Sequence, residues 1–496
     1  MGHKGHNHPD IHPADGSDFM QRALAYHRNG RLDEAEAAYK MILEKQPEHA
    51  DALHLLGALF YQKRNYRDAV SYSKKALLYK PENADLYGNL GNALLACSQI
   101  DEAIKCFLRI IDLKGDDAGA LYNLGNAFKE KGAFAEALSY YEKALQIDPD
   151  MAEAHYNYGN ALQDLHHSDG PAIPYYRRAA GIRPGFAEAH WNLSLALLLT
   201  GCFSEGWKEY EWRRQMREIF PRRDFPKESW GGEDISGKRI LLYAEQGFGD
   251  TMQFIRYAGM LSGGGAEVYV ECQPELVSLL SGQEGISCVI GRGERLPEYD
   301  CHCPILSLPG MFGTELATIP SEVPYISASP AQLSRWKERL SGDGSRLKVG
   351  LSWAGRPTHK KDHYRSVSLK QLSPLSGVEG VTFYSLQKGE ASLESLNPPS
   401  GMRLVDYTLE LGDFSDTAGL IGNLDLVISV DTAVVHLAGA MGKRVWTLLP
   451  YAPDWRWLMG REDSPWYPTM RLFRQPFPGD WQAVIAQVSA SLSEYR

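Results

Sequence analysis

A spacing of 34 residues runs through the first half of the chain and limits what that half can fold into. Small residues and helix breakers keep this step, at Ala35, Ala69, Ala103 and Ala137, at Gly57, Gly91, Gly125 and Gly159, and at Pro47, Pro81, Gly115 and Pro149. A fixed period of this length indicates that one helical unit is repeated and stacked on its neighbours. A single compact core is therefore excluded for this half.

The period is the tetratricopeptide pattern, in which two helices form each repeat. Glycine or alanine lets the first helix approach the second closely, and proline ends the second helix. After the fourth repeat the register slips by one residue, to Ala172, Pro184 and Ser194, which places an insertion in "DLHHSDGP". We expect about six repeats over residues 16–217, forming an α superhelix.

Residues 1–15 have a different composition, because four histidines lie among Gly, Pro and Asp. This polar stretch predicts a disordered leader. Adventitious metal binding by its histidines, His3, His6, His8 and His12, is the less favoured alternative.

Asparagines form a second series within the repeats. They occupy one repeat position and the position three residues later, at Asn89, Asn92, Asn123, Asn126, Asn157, Asn160 and Asn192. A spacing of three puts both members of a pair on one helix face. Amide side chains donate and accept hydrogen bonds, so the ladder can hold the backbone of an extended peptide. The same side chains can instead bridge neighbouring helices, and both roles can coexist.

The composition excludes several classes of protein. The formal net charge is −10 at pH 7 and no long basic tract is present, which argues against a nucleic-acid partner. No apolar run reaches the roughly 20 residues of a membrane span, and no apolar secretory signal begins the chain. Seven cysteines without framework spacing fit a reducing cytoplasm. The cluster Cys301-His302-Cys303 has no second ligand pair nearby, so we interpret it as structural.

The second half alternates strands and helices. A linker at residues 218–237 leads to "ILLY", "EVYVEC" and "SCVI" in residues 238–328, and "KVGLSW", "TFYSLQ", "MRLVDY", "DLVISV" and "RVWTLL" follow in residues 346–496. This alternation predicts two parallel sheets, each in its own α/β lobe. Two such lobes in tandem bind ligands in the cleft between them, at the carboxyl ends of the strands.

Four segments carry a resemblance that covers residues 238–496. They are "YAEQGFGDTMQFIRY", "GLSWAGRPTHKKDHYRSVSL", "VISVDTAVVHLAGAMGKRVWTLLP" and "DWRWLMGREDSPWYPTMRLFRQ". In this order they resemble the glycosyltransferase domain of bacterial tetratricopeptide-repeat proteins, which is related to the ADP-heptose:lipopolysaccharide heptosyltransferases. The resemblance implies an α superhelix followed by a GT-B pair of α/β Rossmann-like lobes. The domain order is similar to protein O-GlcNAc transferases and to repeat-bearing flagellin glycosyltransferases, in which the superhelix feeds a protein acceptor into the cleft.

The donor side is predicted first at the turn after "LDLVIS". The family's Ser-x-Asp-Thr turn implies that Asp431 and Thr432 bind the nucleotide and phosphate of the donor. The backbone N–H groups of Thr432 and Ala433 begin a helix whose dipole favours a phosphate, and His436 lies one turn further on. The alternative is that Asp431 or Thr432 only caps the helix, and that His436 only packs.

Basic side chains form the second part of the predicted donor site. The loop "GRPTHKKDHYRS" contributes Lys360, Lys361 and Arg365, and the resemblance implies that one of them neutralises the leaving group. Gln387 and Lys388 follow another strand and are candidates for the base or the ribose. A solvated charged loop is the alternative. The predicted charge balance needs no metal, because Asp148 and Asp150, the only Asp-x-Asp pair, fall at a repeat junction.

The acceptor side is predicted at "EQGFGD". Asp250 matches the aspartate that is the proposed general base of heptosyltransferases. Gly247 and Gly249 bring the backbone and the acid close to the donor sugar. The alternative is a capping box with Asp250 as N-cap and Gln253 as its partner. Further along, the aromatic block around Trp455 and Trp457 either stacks on a sugar or packs between the lobes.

Together these features predict an inverting, metal-independent glycosyltransferase in the cytoplasm. It would move a sugar from a nucleotide sugar to a Ser/Thr hydroxyl of a protein, flagellin being one acceptor the resemblance implies. No cofactor is expected, and the asparagine ladder is the predicted acceptor-binding surface. A glycan or lipid-linked saccharide acceptor and a non-catalytic repeat scaffold remain as alternatives. The donor is open, since the relatives imply ADP-heptose, UDP-GlcNAc or CMP-nonulosonates.

Overall fold

The computed structural model describes residues 16–166, 170–219, 221, 223–358 and 362–495. The predicted leader, with its four histidines, lies outside the described residues. The described chain divides into two compact units. Of the described residues, the first unit comprises 16–166 and 174–184, and the second comprises 170–173 and those from 185 onward.

The first unit is built of antiparallel helix pairs joined by short turns. Its helices are α1 Gly16–Arg28, α2 Leu32–Lys45, α3 Ala50–Gln62, α4 Tyr66–Tyr79, α5 Ala84–Ala96, α6 Ile100–Lys114, α7 Ala118–Glu130, α8 Phe134–Ile147, α9 Ala152–His166 and α10 Ile173–Ile182. Each second helix ends one or two residues before the predicted breaker, as α4 does before Pro81. The segment predicted to hold the insertion spans the end of α9 and the connection to α10, and it lies partly outside the described residues.

The repeated glycines let the two helices of a pair touch, as predicted. A Cβ on Gly91 would lie 2.5 Å from a ring carbon of Phe107, and one on Gly125 would lie 2.4 Å from Tyr141. Real Cβ atoms do not approach other atoms this closely. The side chain of the second helix therefore occupies the space that any residue larger than glycine would need.

Two further helices and a parallel sheet open the second unit. Helices α11 Ala187–Leu199 and α12 Phe203–Tyr210 come first, and a 3-10 turn, Glu211–Gln215, follows. The next elements are β1 Arg239–Tyr243, α13 Phe248–Phe254, α14 Tyr257–Gly263, β2 Glu267–Cys272, α15 Pro274–Leu280, β3 Cys288–Gly291, β4 Cys301–Pro304 and α16 Leu308–Met311. The strands lie in the order β3-β2-β1-β4 and all pair in parallel. We call this part the first lobe.

A second parallel sheet forms the rest of the unit, which we call the second lobe. Its elements are α17 Pro330–Arg339, β5 Leu347–Ser352, α18 Asp362–Arg365, β6 Val381–Ser385, β7 Leu404–Asp406, α19 Phe414–Gly422, β8 Leu426–Val430, α20 Ala433–Ala440, β9 Val445–Leu449, β10 Met470–Arg474 and α21 Trp481–Glu494. The order of its strands is β10-β9-β8-β5-β6-β7. The sheet is parallel throughout.

One hydrophobic cluster contains side chains of both lobes. It contains Val268 of β2, Val427 of β8 and the aromatic block, in which Trp455 is 4% exposed and Trp457 is fully buried. Trp455 also packs edge-on against Trp207 of α12 at 5.3 Å between ring centroids. Of the two interpretations of the aromatic block, the structure therefore supports packing between the lobes.

Several elements differ from the sequence expectation. Helix α17 lies between the ranges predicted for the two lobes, where Ser329 caps it and Trp336 buries its ring against Gly419 of α19. Helix α13 begins at Phe248, three residues before the expected start. Within the described residues, every helix is too short or too polar to cross a bilayer.

Candidate functional site

Three neighbouring strands of the second lobe bring charged side chains to one edge of the sheet. Strands β5, β8 and β9 are adjacent and parallel, so the loops that follow them leave the same edge. These loops carry Arg365, Asp431 and Arg456 respectively. The chain enters the sheet at β5, adds β6 and β7 on one side and then places β8 on the other. Open α/β sheets bind ligands where the strand order reverses in this way.

Asp431 and His436 lie in a nearly closed space. Asp431 is 9% exposed and His436 is 6% exposed. The Nε2 atom of His436 is 3.9 Å from Oδ1 of Asp431, and its Nδ1 atom is hydrogen-bonded to the hydroxyl of Tyr467 at 2.9 Å. The imidazole also stacks on the indole of Trp457, with ring centroids 5.4 Å apart.

Burial determines the protonation of both groups. Burial and, to a smaller extent, the neighbouring carboxylate of Asp454 raise the pKa of Asp431 to about 6, against the opposing effect of Arg365 and Arg456. Burial also lowers the pKa of His436 to about 3, and the charge of Arg456 adds to the effect. At neutral pH the imidazole is therefore uncharged, and it meets Asp431 as a neutral ring.

Thr432 occupies the N-cap position of α20, but its side chain makes no capping hydrogen bond. Its hydroxyl is instead 3.2 Å from the hydroxyl of Ser429. Thr432 and Ala433 are both half-buried. Side-chain capping therefore does not account for Thr432, and the prediction that this turn binds a phosphate stays a prediction.

The glycine turn of the first lobe forms only half of a capping box, because the N-cap residue is a glycine and has no side chain to accept a hydrogen bond. Gly247 is the N-cap residue, and Asp250 is the third residue of α13. Oδ2 of Asp250 accepts a hydrogen bond from the backbone N–H of Gly247 at 2.7 Å. The sequence reading with Asp250 as N-cap and Gln253 as partner is wrong, because the helix begins earlier. The carboxylate still has a second oxygen that this capping bond does not use.

Arg456 contacts that second oxygen and was missed by the sequence reasoning. Its guanidinium donates to Oδ1 of Asp250, to Oδ1 of Asp454 at 2.8 Å and to Oε1 of Gln253 at 2.7 Å. Burial disfavours the charge of Arg456, but Asp454 and Asp250 together raise its pKa. One signal was available, since Arg456 lies between two tryptophans just after a buried strand.

A second contact between the lobes lies beside this ion pair. A Cβ on Gly249 would be 2.6 Å from Cδ2 of His436, so only glycine lets α13 approach α20 this closely. The structure thus brings together Gly249 and Asp250 of the first lobe with Asp431 and His436 of the second. These residues are far apart in the sequence.

The basic loop is only partly described. Lys360 and Lys361 lie outside the described residues. Arg365 is half-buried, donates to Oδ1 of Asp362 at 3.2 Å, and its charge acts on Asp431 and His436. Among the three predicted basic residues, Arg365 is therefore the one that the structure places near the Asp431 turn.

Gln387 and Lys388 make contacts that support loops. Oε1 of Gln387 accepts from the backbone N–H groups of Trp353 and Ala354, both at 2.9 Å, and the residue is 2% exposed. The ammonium of Lys388 donates to the backbone carbonyls of Thr408 and Leu411, both at 2.8 Å. Their predicted contact with a nucleotide base or ribose stays a prediction, and protein contacts already account for both side chains.

The asparagine ladder divides into bonded and unbonded members. Asn126 accepts from the hydroxyl of Tyr141 at 2.7 Å and from the amide of Asn157 at 3.0 Å, and Asn157 also bonds to Tyr122. Asn160 accepts from the hydroxyl of Tyr176 at 2.9 Å. These members bridge neighbouring helices, which is the structural role considered above.

The remaining members of the ladder differ. Asn89 bonds to the ring of His54 at 3.2 Å, and Asn192 belongs to the second unit. Asn92 and Asn123 are half-buried and have no hydrogen-bond partner within the described residues. Asn92 occupies the same repeat position as Asn126. The ring that packs on the preceding glycine is Tyr141 beside Asn126, but it is Phe107 beside Asn92, which has no hydroxyl to donate. These two amides therefore have unused hydrogen-bonding capacity.

The described part of the chain contains no group of three or more His, Cys, Asp or Glu side chains arranged to hold a metal ion. The cluster Cys301-His302-Cys303 forms strand β4, with all three side chains buried. Independence of a metal stays a prediction.

Comparison with known proteins identifies the repeats. Models of the tetratricopeptide repeat match residues 20–81 and 118–151, and a further model of the TPR repeat matches residues 91–132. The chain therefore contains tetratricopeptide repeats, and the prediction made from the 34-residue period is confirmed.

Similarity to named proteins is more distant. Protein FlbA of Caulobacter vibrioides is 27% identical over 336 residues, which cover 60% of this chain and 54% of FlbA. The chain thus spans about half the length of this curated relative.

Among solved structures, the crystal structure of the MamA protein is 26% identical, covers 35% of this chain and 94% of its own, and has a TM-score of 0.31. YrrB, described as a TPR protein with an unusual peptide-binding site, is 27% identical over 35% of this chain and 90% of its own, with a TM-score of 0.31. PilF of Pseudomonas aeruginosa is 21% identical over 42% of this chain and 93% of its own, with a TM-score of 0.36.

Proposed function

We propose that the two lobes form a GT-B glycosyltransferase that moves a sugar from a nucleotide sugar to a Ser/Thr hydroxyl of a protein. The observation that carries the proposal is the ion pair between Asp250 and Arg456. It joins the predicted acid of the first lobe to the strand-end loops of the second. The resemblance places acceptor chemistry on the first of these sides and donor chemistry on the second.

The proposed reaction is a single displacement at the anomeric carbon. The acceptor hydroxyl oxygen forms the new bond, the bond to the nucleotide phosphate breaks on the opposite face, and the configuration inverts. The hydroxyl proton passes to Asp250, which acts as general base. Each carboxylate oxygen has more than one lone pair, so the contacts to Gly247 and Arg456 leave room for a third hydrogen bond.

The leaving nucleotide carries the charge that has to be stabilised. Arg365 and Arg456 supply positive charge beside the Asp431 turn, and the N-terminus of α20 adds a partial positive charge. His436 stays neutral because of its burial, so it contributes shape and hydrogen bonding and no charge. Exclusion of water by the tight packing between Gly249 and His436 would protect the donor from hydrolysis.

A protein acceptor is favoured by the tetratricopeptide repeats, because concave repeat surfaces commonly bind extended segments of partners. Asn92 and Asn123 have the unused amide groups that such a segment needs. A glycan or lipid-linked saccharide acceptor keeps the same chemistry, and a loss of acceptor binding on replacing these two asparagines would argue against it.

A non-catalytic scaffold is the competing function, and a specific observation favours it. Asp431, His436 and Arg456 are each more than nine-tenths buried, which leaves little open space around them. A scaffold would keep these residues only to hold the lobes together. An enzyme would have to admit its donor at the same place.

The test has two steps. Thermal unfolding of the full chain with UDP, GDP, ADP or CMP identifies the nucleotide, since a ligand that binds only the folded state raises Tm. The matching nucleotide sugar is then incubated with flagellin, and intact-protein mass spectrometry detects transfer. We expect wild type to add the sugar and Asp250→Asn to lose the activity. No nucleotide effect and no product with either protein would favour the scaffold.

A further inference from the structure

A cavity lies in the first lobe, beside the carboxyl ends of β1 and β4. It has a volume of about 820 Å³, and its walls include Tyr243 and Ala244 at the end of β1 and His302 in β4. The strand order of this sheet also reverses between β1 and β4, because the chain runs from β1 to β2 and β3 and returns to place β4 on the other side. This is the position at which open α/β sheets bind ligands.

The cavity is rich in positive charge. Six basic residues line it, at Lys208, Arg214, Arg217, Arg223, Lys227 and Arg292. Within the described residues, Lys208, Arg217 and Lys227 have no ion pair, whereas Arg223 is paired with Glu271.

Two of the three acidic residues of the wall share one buried cation. Glu211 and Glu245 both accept hydrogen bonds from the fully buried guanidinium of Arg213, at 2.7 and 2.8 Å. Asp224, the third acidic residue of the wall, is not without an interaction partner either. Because six basic and three acidic residues line it, the cavity has a net positive lining, which favours an anionic ligand.

His302 supplies an independent sign of a ligand. It is 7% exposed, lines the cavity, and its Nδ1 atom is buried without a hydrogen-bond partner in the described structure. The ring of Phe225 lies 4.4 Å from the imidazole between centroids. A buried polar atom without a partner is costly, and a ligand atom would satisfy it. The aromatic rings beside it can pack on a flat or ring-shaped group.

We propose that this cavity binds a phosphorylated small molecule with a flat or ring-shaped face, as a nucleoside phosphate or a sugar phosphate has. Arginine and lysine recognise phosphate, with arginine able to make two parallel hydrogen bonds. The volume falls in the range of sites for small molecules. The proposal does not depend on glycosyl transfer, because the residues that line the cavity differ from those of the proposed active site. Binding to the cavity is also measured without a transfer reaction.

The experiment is isothermal titration calorimetry on the full chain with ADP, glucose 1-phosphate and inorganic pyrophosphate. Arg214 and Arg217 are exposed, so the double variant Arg214→Glu/Arg217→Glu should fold normally. We expect at least one phosphate probe to bind wild type, and the double variant to bind it about tenfold or more weakly. ADP alone would indicate a nucleotide site, and glucose 1-phosphate a sugar-phosphate site.

The matched control is Lys238→Glu/Arg295→Glu, which changes the net charge equally at exposed positions of the same lobe outside the cavity. It should bind the probe like wild type. Equal binding by wild type and the Arg214/Arg217 variant would overturn the proposal, as would no binding of any phosphate probe. Tighter binding of a hexaglutamate peptide than of every phosphate probe would also overturn it, in favour of an acidic protein segment.

Discussion

The guanidinium of Arg456, in the loop after β9, donates to the carboxylate of Asp250 in helix α13, so one ion pair joins the two lobes. Its two side chains are 9% and 18% exposed. At this burial the pairing is much less screened by solvent than a surface salt bridge would be. The lobes are therefore held together where the proposed chemistry takes place.

Replacing Asp250 by Asn should abolish most of the transfer activity. The amide cannot accept the hydroxyl proton, and we expect a loss of about 10²- to 10⁴-fold in the rate of sugar transfer. Arg456 keeps its bonds to Asp454 and Gln253, so we expect the variant to fold. Transfer to flagellin, followed by mass spectrometry, measures the change.

Asp463→Asn is the control for this substitution, because Asp463 also pairs with an arginine, Arg461, but on the exposed surface of the second lobe. Its activity should equal that of wild type. If Asp250→Asn transfers sugar at the wild-type rate, Asp250 is not the base.

The stability of the second unit should fall at acid pH because of His436. Its pKa lies near 6.5 in the unfolded chain and near 3 in the folded state, so the unfolded state takes up the proton first as the pH falls. This contribution to the free energy of unfolding is complete above pH 6.5 and is lost progressively down to about pH 3. By pH 4 the loss amounts to about 3 kcal/mol. Tm measured from pH 7 to pH 4 should therefore show a steeper fall for wild type than for His436→Gln.

The titration of Asp431 changes stability with pH in the opposite direction to that of His436, so a variant of Asp431 provides the comparison. Its pKa is raised from 3.8 to about 6, so the unfolded state loses its proton first as the pH rises, and stability is lost between these values. Asp431→Asn should gain stability relative to wild type above pH 6. Parallel Tm profiles for wild type and both variants would contradict the burial of these two groups.

Much of the fold could be predicted from the sequence, because periodicity and strand–helix alternation are local signals. The 34-residue step predicted the repeats, and apolar runs predicted β1, β5, β8 and β9. The pairing of Asp250 with Arg456 was not predictable in the same way, since it depends on how two distant loops meet in space. Strand β4 was missed because "CHCP" is too short to show any period, and α17 because its one buried side chain, Trp336, lies among polar residues.

The repeats offer a matched pair of glycines in one helix, α5. A Cβ on Gly91 would lie 2.5 Å from Phe107, whereas one on Gly88 would lie 3.8 Å from Ile110. Gly91→Ala should destabilise the first unit by about 1–3 kcal/mol through overpacking. Gly88→Ala should stabilise it by about 0.5–1 kcal/mol, because alanine is the better helix former. Urea unfolding monitored by circular dichroism compares the two, and equal effects would contradict the close packing at Gly91.

Substitutions at different positions of the asparagine ladder should affect stability and peptide binding separately. Asn157 bonds to Tyr122 and Asn126, so Asn157→Ala should lower the free energy of unfolding by about 1–3 kcal/mol, as it leaves half-buried groups without partners. Asn92→Ala/Asn123→Ala removes amides with no described partner and should leave stability nearly unchanged while weakening binding of the acceptor protein. Unfolding curves and titration with flagellin test both expectations, and unchanged acceptor binding in the double variant would contradict the proposed peptide groove.

Phe107→Tyr should complete the hydrogen bond that Asn92 lacks. Tyr141 and Tyr176 pack on Gly125 and Gly159 and donate their hydroxyls to the asparagine that follows each glycine. Phe107 packs on Gly91 in the same way, so a hydroxyl added to its ring should reach Asn92 and stabilise the first unit by about 0.5–1.5 kcal/mol. The gain should disappear in the background of Asn92→Ala, which a double-mutant cycle measures. The new bond would also occupy the Asn92 amide, so acceptor binding should weaken even as stability rises.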